Sequence, residues 1–228
     1  MKKISNYEIA DLVRYSDDSI ILVEKVPTLD ITRPNANYYL LNLKTFEKDA
    51  ITKSVYLMKK FGSSAYQKIT EKIESVVQCD TLILPSREVF VLFPNGQCGL
   101  FDAHGELQWT KTLSYNDKEV HSLAADDGYI WCCCKDENCV IRYSTDNFKV
   151  DIRIGGKEAD TFPSPEFLSA DGKNVYVCCN GRRLRKIDLQ DFTVSDVTDG
   201  IPMLRKFYRF GNISLLCTAD GAYIGEDD

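Results

Sequence analysis

Residues 121–156 and 165–200 read as two copies of one unit, and no other feature of the chain restricts its fold so tightly. The first copy is HSLAADDGYIWCCCKDENCVIRYSTDNFKVDIRIGG and the second is PEFLSADGKNVYVCCNGRRLRKIDLQDFTVSDVTDG. Each has an apolar strand, an Asp-Gly turn, a strongly apolar strand ending in cysteine, a polar turn, a third strand, and a fourth strand after a phenylalanine. Asp127-Gly128 aligns with Asp171-Gly172 and Trp131 with Tyr176. Ser144 aligns with Asp188 and Phe148 with Phe192, each 44 residues on. Four short strands in a repeat of about 40–45 residues is the period of a propeller blade.

Weaker copies flank this pair. Residues 79–112 carry Phe90, 41 residues before Trp131, and Asp102, 42 before Ser144. An N-terminal copy runs over 10–57 as ADLVRYS, SIILVEK, YYLLNLK and AITKSVYL. Its Asn42 and Phe46 keep the four-residue offset of Ser144/Phe148 and Asp188/Phe192. The last copy, 203–226, supplies only about three strands, and the segment around Lys3–Glu8 is expected to add the fourth, because an unclosed propeller leaves bare strand edges. The expectation is an all-β chain forming one propeller domain over 1–228, of about five four-stranded blades.

One interval breaks the period: Asn42 and Asp102 lie 60 residues apart. Tyr66, Ile69, Ile73 and Val76 fall at helical spacing, with Lys68, Glu71, Lys72 and Glu74 on the polar face, so the surplus reads as a short inserted helix near 64–75. The alternative is a sixth, degenerate blade. The segment 26–37 exceeds a tight turn and reads as a surface excursion.

The quoted blades resemble those of NHL-type and YVTN-type (lactonase-like) propellers. The resemblance rests on the Asp-Gly turn, the Tyr-Val or Ile-Trp strand, Val-Ile-Arg-Tyr-Ser or Leu-Arg-Lys-Ile-Asp, and GLFDAHGELQW at 99–109. It covers most of the chain and implies the fold rather than one activity. In lactonase-like members a carboxylate and polar ligands near the channel hold a divalent metal. Asp11, Asp80 and Glu166 stand where the resemblance would put such carboxylates, without asparagine partners in register.

Other chemistry is scarce. The net charge of −6 opposes general binding to nucleic acid or to an anionic membrane surface. No apolar run is long enough to span a bilayer, no signal-peptide core follows Lys2-Lys3, and a cytoplasmic protein is expected. The nine cysteines are odd in number, and most sit in apolar strands where Val or Ala would serve, so they read as reduced structural thiols. Cys132-Cys133-Cys134 with Cys139 could suggest zinc, but the match to Val177-Cys178-Cys179 makes that strand a core strand.

Histidine is limited to His104, in an Ala-His-Gly turn, and His121, at the start of a blade. No phosphate-binding glycine loop is present. Arg182-Arg183-Arg185-Lys186 and Arg205-Lys206-Arg209 are locally basic, the former reading as a solvated face. A propeller's ligands gather where first strands converge, which makes Asp11, Asp80, His121, Glu166 and Arg205 the candidate channel residues. No cofactor is expected. The leading functional expectation is a non-enzymatic propeller binding a protein or small-molecule ligand; the alternative is a metal-dependent hydrolase of the lactonase-like kind.

Overall fold

A computed structural model describes residues 1–27, 35–73 and 76–226. The chain opens with β1 (Lys2–Ser5) and continues through β2 (Ile9–Ser16), β3 (Ser19–Val26), β4 (Asn35–Asn42) and the short β5 (Lys48–Ala50). Two helices follow, α1 (Lys53–Phe61) and α2 (Tyr66–Lys72). Next come β6 (Asp80–Ile83), β7 (Val89–Leu92), β8 (Gln97–Phe101) and β9 (Leu107–Thr112), then the small hairpin β10 (Ser114–Tyr115) and β11 (Lys118–Glu119). The clear repeats are β12 (His121–Asp126), β13 (Tyr129–Cys134), β14 (Cys139–Ser144) and β15 (Val150–Gly155), then β16 (Pro165–Ala170), β17 (Asn174–Cys179), β18 (Arg183–Asp188) and β19 (Val194–Asp199). The chain finishes with β20 (Leu204–Phe210), β21 (Ile213–Thr218) and β22 (Gly221–Glu226).

Among the described residues, twenty of the strands form five four-stranded sheets and β10 with β11 a separate two-stranded one, and the protein is an all-β, five-bladed propeller with two short helices. Four of the sheets run in chain order: β2 to β5, β6 to β9, β12 to β15 and β16 to β19. The fifth has the order β1-β22-β21-β20, so its outermost strand comes from the start of the chain. Lys2 pairs with Ile224, Lys3 with Tyr223 and Ser5 with Ala222. No helix among the described residues is long and apolar enough to cross a membrane.

The sequence marks correspond to repeated turns. Asn42, Ser144 and Asp188 end the third strands, and the backbone N–H groups of Phe46, Phe148 and Phe192 return to their carbonyls at 2.9, 2.9 and 2.8 Å. Those three phenylalanines sit at φ values of 58°, 54° and 59°, a left-handed conformation that non-glycine residues seldom adopt. The side-chain oxygens of Asn42, Ser144 and Asp188 accept N–H groups two residues on, those of Lys44, Asp146 and Gln190. Such local acceptors favour turns over continued strand. Asp102 does the same for His104 and Glu106, one residue shorter, with Gly105 at φ 83°.

The interval between Asn42 and Asp102 is long because it holds two helices rather than one. Residues 53–57 were expected in the fourth strand of the first blade; they belong to α1, and that strand is confined to β5. The β-formers Ile51, Val55 and Tyr56 mimic a strand, but Tyr56 and Lys60 are one helical turn apart and both buried. Tyr56 packs with Ile21 and Val23, flanked by Val55, Leu57, Val76 and Val77. α2 buries Ile69, as its spacing predicts, and ends at Lys72; Glu74 lies outside the described residues, as does 28–34 within the expected 26–37 excursion.

The chain divides into two compact units. The first comprises Met1–Val91, Gly99–Thr110 and Ala219–Ile224. In it, α2 docks on the Asp102–Glu106 turn: Lys68 and Lys72 both bond Glu106, and Ser64 Oγ donates to the Ala103 carbonyl at 2.7 Å. Gly105 is required there twice over, by its φ and because a Cβ would lie 2.7 Å from the Ala65 carbonyl oxygen. The second unit comprises Leu92–Cys98, Lys111–Thr218 and Gly225–Asp228. Its core includes Trp131, Cys133, Val140, Phe162, Leu168, Val177 and Cys179.

Candidate functional site

The first strands begin irregularly. The register of β2 shifts between Ile9 and Asp11, of β12 between His121 and Ala124, of β16 between Pro165 and Phe167, and of β20 between Leu204 and Lys206. A bulge puts an extra residue into one strand and re-aims its side chain. Four of the five sequence-selected residues, Asp11, His121, Glu166 and Arg205, therefore stand at or beside bulges. Asp80 is the first residue of β6.

In the first unit, Asp11 is held in a buried cluster. Its Oδ2 accepts from Lys60 Nζ at 2.5 Å and from the Tyr56 hydroxyl at 2.6 Å, and its Oδ1 accepts the Leu12 N–H at 2.8 Å. The side chains of Lys60 and Asp11 are 1% and 11% exposed. Lys60 Nζ also donates to the Cys79 carbonyl at 2.5 Å. Burial alone would lower the Lys60 pKa, but the Asp11 carboxylate, with Asp80 adding its charge, leaves it above the ordinary lysine value. The Tyr56 hydroxyl is pushed far up, first by burial and then by Asp11, so it stays a proton donor. Asp11 thus holds the buried lysine, and Asp80 acts on it only through its charge.

The second unit brings the other three together. Glu166 accepts from Lys135 Nζ at 2.8 Å and pairs with Arg205 at 3.9 Å. Lys135 and Arg205 are 51% and 49% exposed, and Glu166 is 28% exposed. His121 Nε2 lies 3.2 Å from the Pro165 carbonyl, which can only accept, so this nitrogen carries the proton. Burial lowers the His121 pKa more than that bond and the Glu166 charge raise it. Beside them, Phe167 meets Tyr208 edge-on at 5.2 Å between centroids, with Lys206 Nζ 5.3 Å from the Phe167 ring centre. The turn after β13 adds a second charged link, Asn116 and Lys157 both holding Glu137.

These donor sets do not fit a divalent metal. The Asp11 carboxylate is filled by a lysine, a tyrosine and a backbone N–H, and Glu166 lies between two cations. Among the described residues, no three His, Cys, Asp or Glu side chains are grouped to hold a metal ion. All nine cysteines are buried thiols, and Cys132, Cys133, Cys134 and Cys139 are core residues. His104 is exposed in its turn. The basic run at 182–186 is largely answered from within: Arg183 pairs with Asp160 and Asp196, Arg185 with Asp196, and Arg182 with Asp199.

Sequence reasoning missed Lys60 and Tyr56, because α1 reads as strand, and it missed Lys135, Glu137 and Lys157, which lie in turns with no periodic signal. The sequence carries the basic run Arg205-Lys206-Arg209; that Phe167 stands beside it follows only from the packing of first strands in neighbouring blades.

No known protein family and no curated protein matches the chain by sequence. Solved structures do match in fold. The WD40 β-propeller domain of Doa1 superposes with a TM-score of 0.53 at 12% identity, covering 93% of this chain and 62% of that one. A chain of the nidogen/laminin complex gives a TM-score of 0.52 at 10% identity, covering 94% and 70%. The chain thus spans less than two thirds of the Doa1 domain. At such identities the likeness is one of fold, that of a β-propeller.

Proposed function

We propose that this protein is a non-enzymatic interaction propeller that engages a protein partner where β12, β16 and β20 begin. The observation that carries this reading is the half-exposed chain Lys135–Glu166–Arg205. Two cations share one carboxylate, so a carboxylate from a partner can join or replace Glu166. Exposed pairs are worth only about 0–1 kcal/mol, so the exchange costs little. The partly buried aromatic pair Phe167–Tyr208, with Lys206 over the Phe167 ring, borders the same charged chain and adds apolar surface and a further cation to it. The partner is therefore an acidic protein segment with an apolar or aromatic residue. The nidogen/laminin likeness, whose name is that of a protein–protein complex, agrees with this reading at the level of fold. The many thiols fit a reducing compartment such as the cytoplasm.

The test pairs capture with catalysis. Reversing charge in Lys135→Glu/Arg205→Glu should weaken binding of partners captured by the wild type about tenfold, or about 1.4 kcal/mol, and a Lys53→Glu control should not. Calcium-dependent hydrolysis of a lactone panel by the wild type, lost in Glu166→Gln, would overturn the reading.

A further inference from the structure

The turn that carries Lys135 and Glu137 has two thiols at its base. Cys134 ends β13, Cys139 begins β14, and the two are direct partners in the antiparallel register. Facing residues in such a pair have Cα atoms about 4.5 or 5.5 Å apart. Both spacings fall inside the roughly 4.4–6.8 Å that a disulfide spans. The side chains lie on the same face of the sheet, with Cys132 and Ile141, which are also register partners. The other candidate groups are already answered by their neighbours: Lys60 by Asp11, Arg142 by Asp151, and Arg183 by Asp160 and Asp196.

We propose that Cys134 and Cys139 form a reversible disulfide that locks the Lys135–Asn138 turn, and with it the charged groups of the proposed binding face. The facing Cys139 thiol and the Glu137 backbone hold Cys134 below the ordinary thiol pKa, while the Cys134 sulfur and burial push Cys139 well above it. Cys134 is therefore the attacking sulfur, since the thiolate is the nucleophile. With a small disulfide such as oxidised glutathione as oxidant, the Cys134 thiolate attacks one sulfur and displaces a glutathione thiolate. Cys139, having given up its proton, then attacks the Cys134 sulfur and expels the second glutathione. The protein loses two electrons and two protons, and glutathione disulfide becomes two glutathiones.

Two physical features shape this chemistry. Both sulfurs are fully buried, so the oxidant reaches them only when the exposed turn opens. Facing Cβ atoms in a sheet are about 4.5–5.5 Å apart, against about 3.5–4.5 Å in a disulfide, so closure draws the strands together. A strained disulfide is the readily reduced kind, suited to a protein that rests as a dithiol.

The locking effect rests on the reading of this face as a binding surface; the bond itself does not, and it is tested separately. The full chain is incubated with oxidised glutathione, its remaining thiols are alkylated, and it is digested with trypsin. Cleavage after Lys118, Lys135 and Arg142 puts Cys134 in the peptide 119–135 and Cys139 in 136–142. The expected result is that these two peptides stay linked until dithiothreitol is added, with two of the nine thiols lost. The link should be absent in Cys134→Ser and in Cys139→Ser, and present in Cys132→Ser and Cys133→Ser. In the oxidised wild type, hydrogen exchange of the 135–138 amides should slow about tenfold. Full alkylation of Cys139 in the wild type, a link that survives Cys134→Ser, or unchanged exchange in the linked protein would each overturn the proposal. Loss of the link with partner binding intact would count against this inference alone, and the reverse against the binding reading.

Discussion

At the scale of single residues, the strongest energetic commitment is the buried pair Lys60–Asp11. Taking both charges out of water is costly, and the pair holds because each is bonded to more than its partner: Asp11 to Tyr56 and Leu12, Lys60 to the Cys79 carbonyl. Removing one member leaves the other buried and uncompensated. Lys60→Met should therefore destabilise the protein by about 3–5 kcal/mol, measured by urea unfolding. The double change Lys60→Met/Asp11→Leu should restore most of that loss, since replacing both members of a buried pair with apolar groups is close to neutral. A double variant no more stable than the single one would show that Lys60 acts through packing rather than charge. Asp11 was legible in the sequence as a carboxylate at the start of a first strand. Its partner was not, because Lys60 lies 49 residues away on a helix that the local pattern disguises.

At the scale of elements, β1 shows how one segment completes a sheet it does not adjoin in sequence. Without it, β22 becomes an exposed edge. Deleting residues 1–5 should remove about 2 kcal/mol or more and lower Tm by about 4–8 °C in a calorimetric scan; an unchanged Tm would mean that β1 contributes nothing. A point substitution tests the same junction. Gly221 sits at φ 152°, and a Cβ there would collide with the Ser5 carbonyl oxygen. Gly221→Ala should cost about 1–3 kcal/mol in the full chain and less once residues 1–5 are gone, because the collision then has no target. The elements differ in how openly the sequence declares them. The third-to-fourth-strand turns are visible as Asn42, Asp102, Ser144 and Asp188, since a short polar side chain that caps its own turn is a local device. α1 is hidden because its helical identity depends on burying Tyr56 against Ile21 and Val23, which no local window contains.

At the scale of the molecule, neighbouring first strands of the second unit are fastened by side chains as well as by packing. His121 Nε2 donates to Pro165, Ser122 Oγ accepts from the Leu168 N–H at 3.0 Å, and Ser169 Oγ donates to the Phe207 carbonyl at 2.6 Å. The His121 link makes global stability depend on pH. Its folded pKa lies below the unfolded value of about 6.5, so in the window between them the unfolded chain binds more protons. Stability is therefore fully present above about pH 6.5 and falls as the pH drops toward the folded value. Urea midpoints at pH 7.5 and 5.5 should differ for the wild type, and the difference should shrink in His121→Gln. An undiminished difference would assign the pH dependence to other groups.

The sequence by itself determined what is periodic and local. The blade repeat, its turn residues, the apolar strands that absorb the cysteines and the amphipathic face of α2 all follow from spacing, which a linear reading preserves. The tertiary structure decided everything that depends on which distant segments meet. It set Lys60 on Asp11, Lys135 and Arg205 on Glu166, β1 on β22, and Cys134 opposite Cys139 in register. Strand pairing and buried charge are properties of proximity across the chain, and residue spacing carries them only where the partners belong to one repeat.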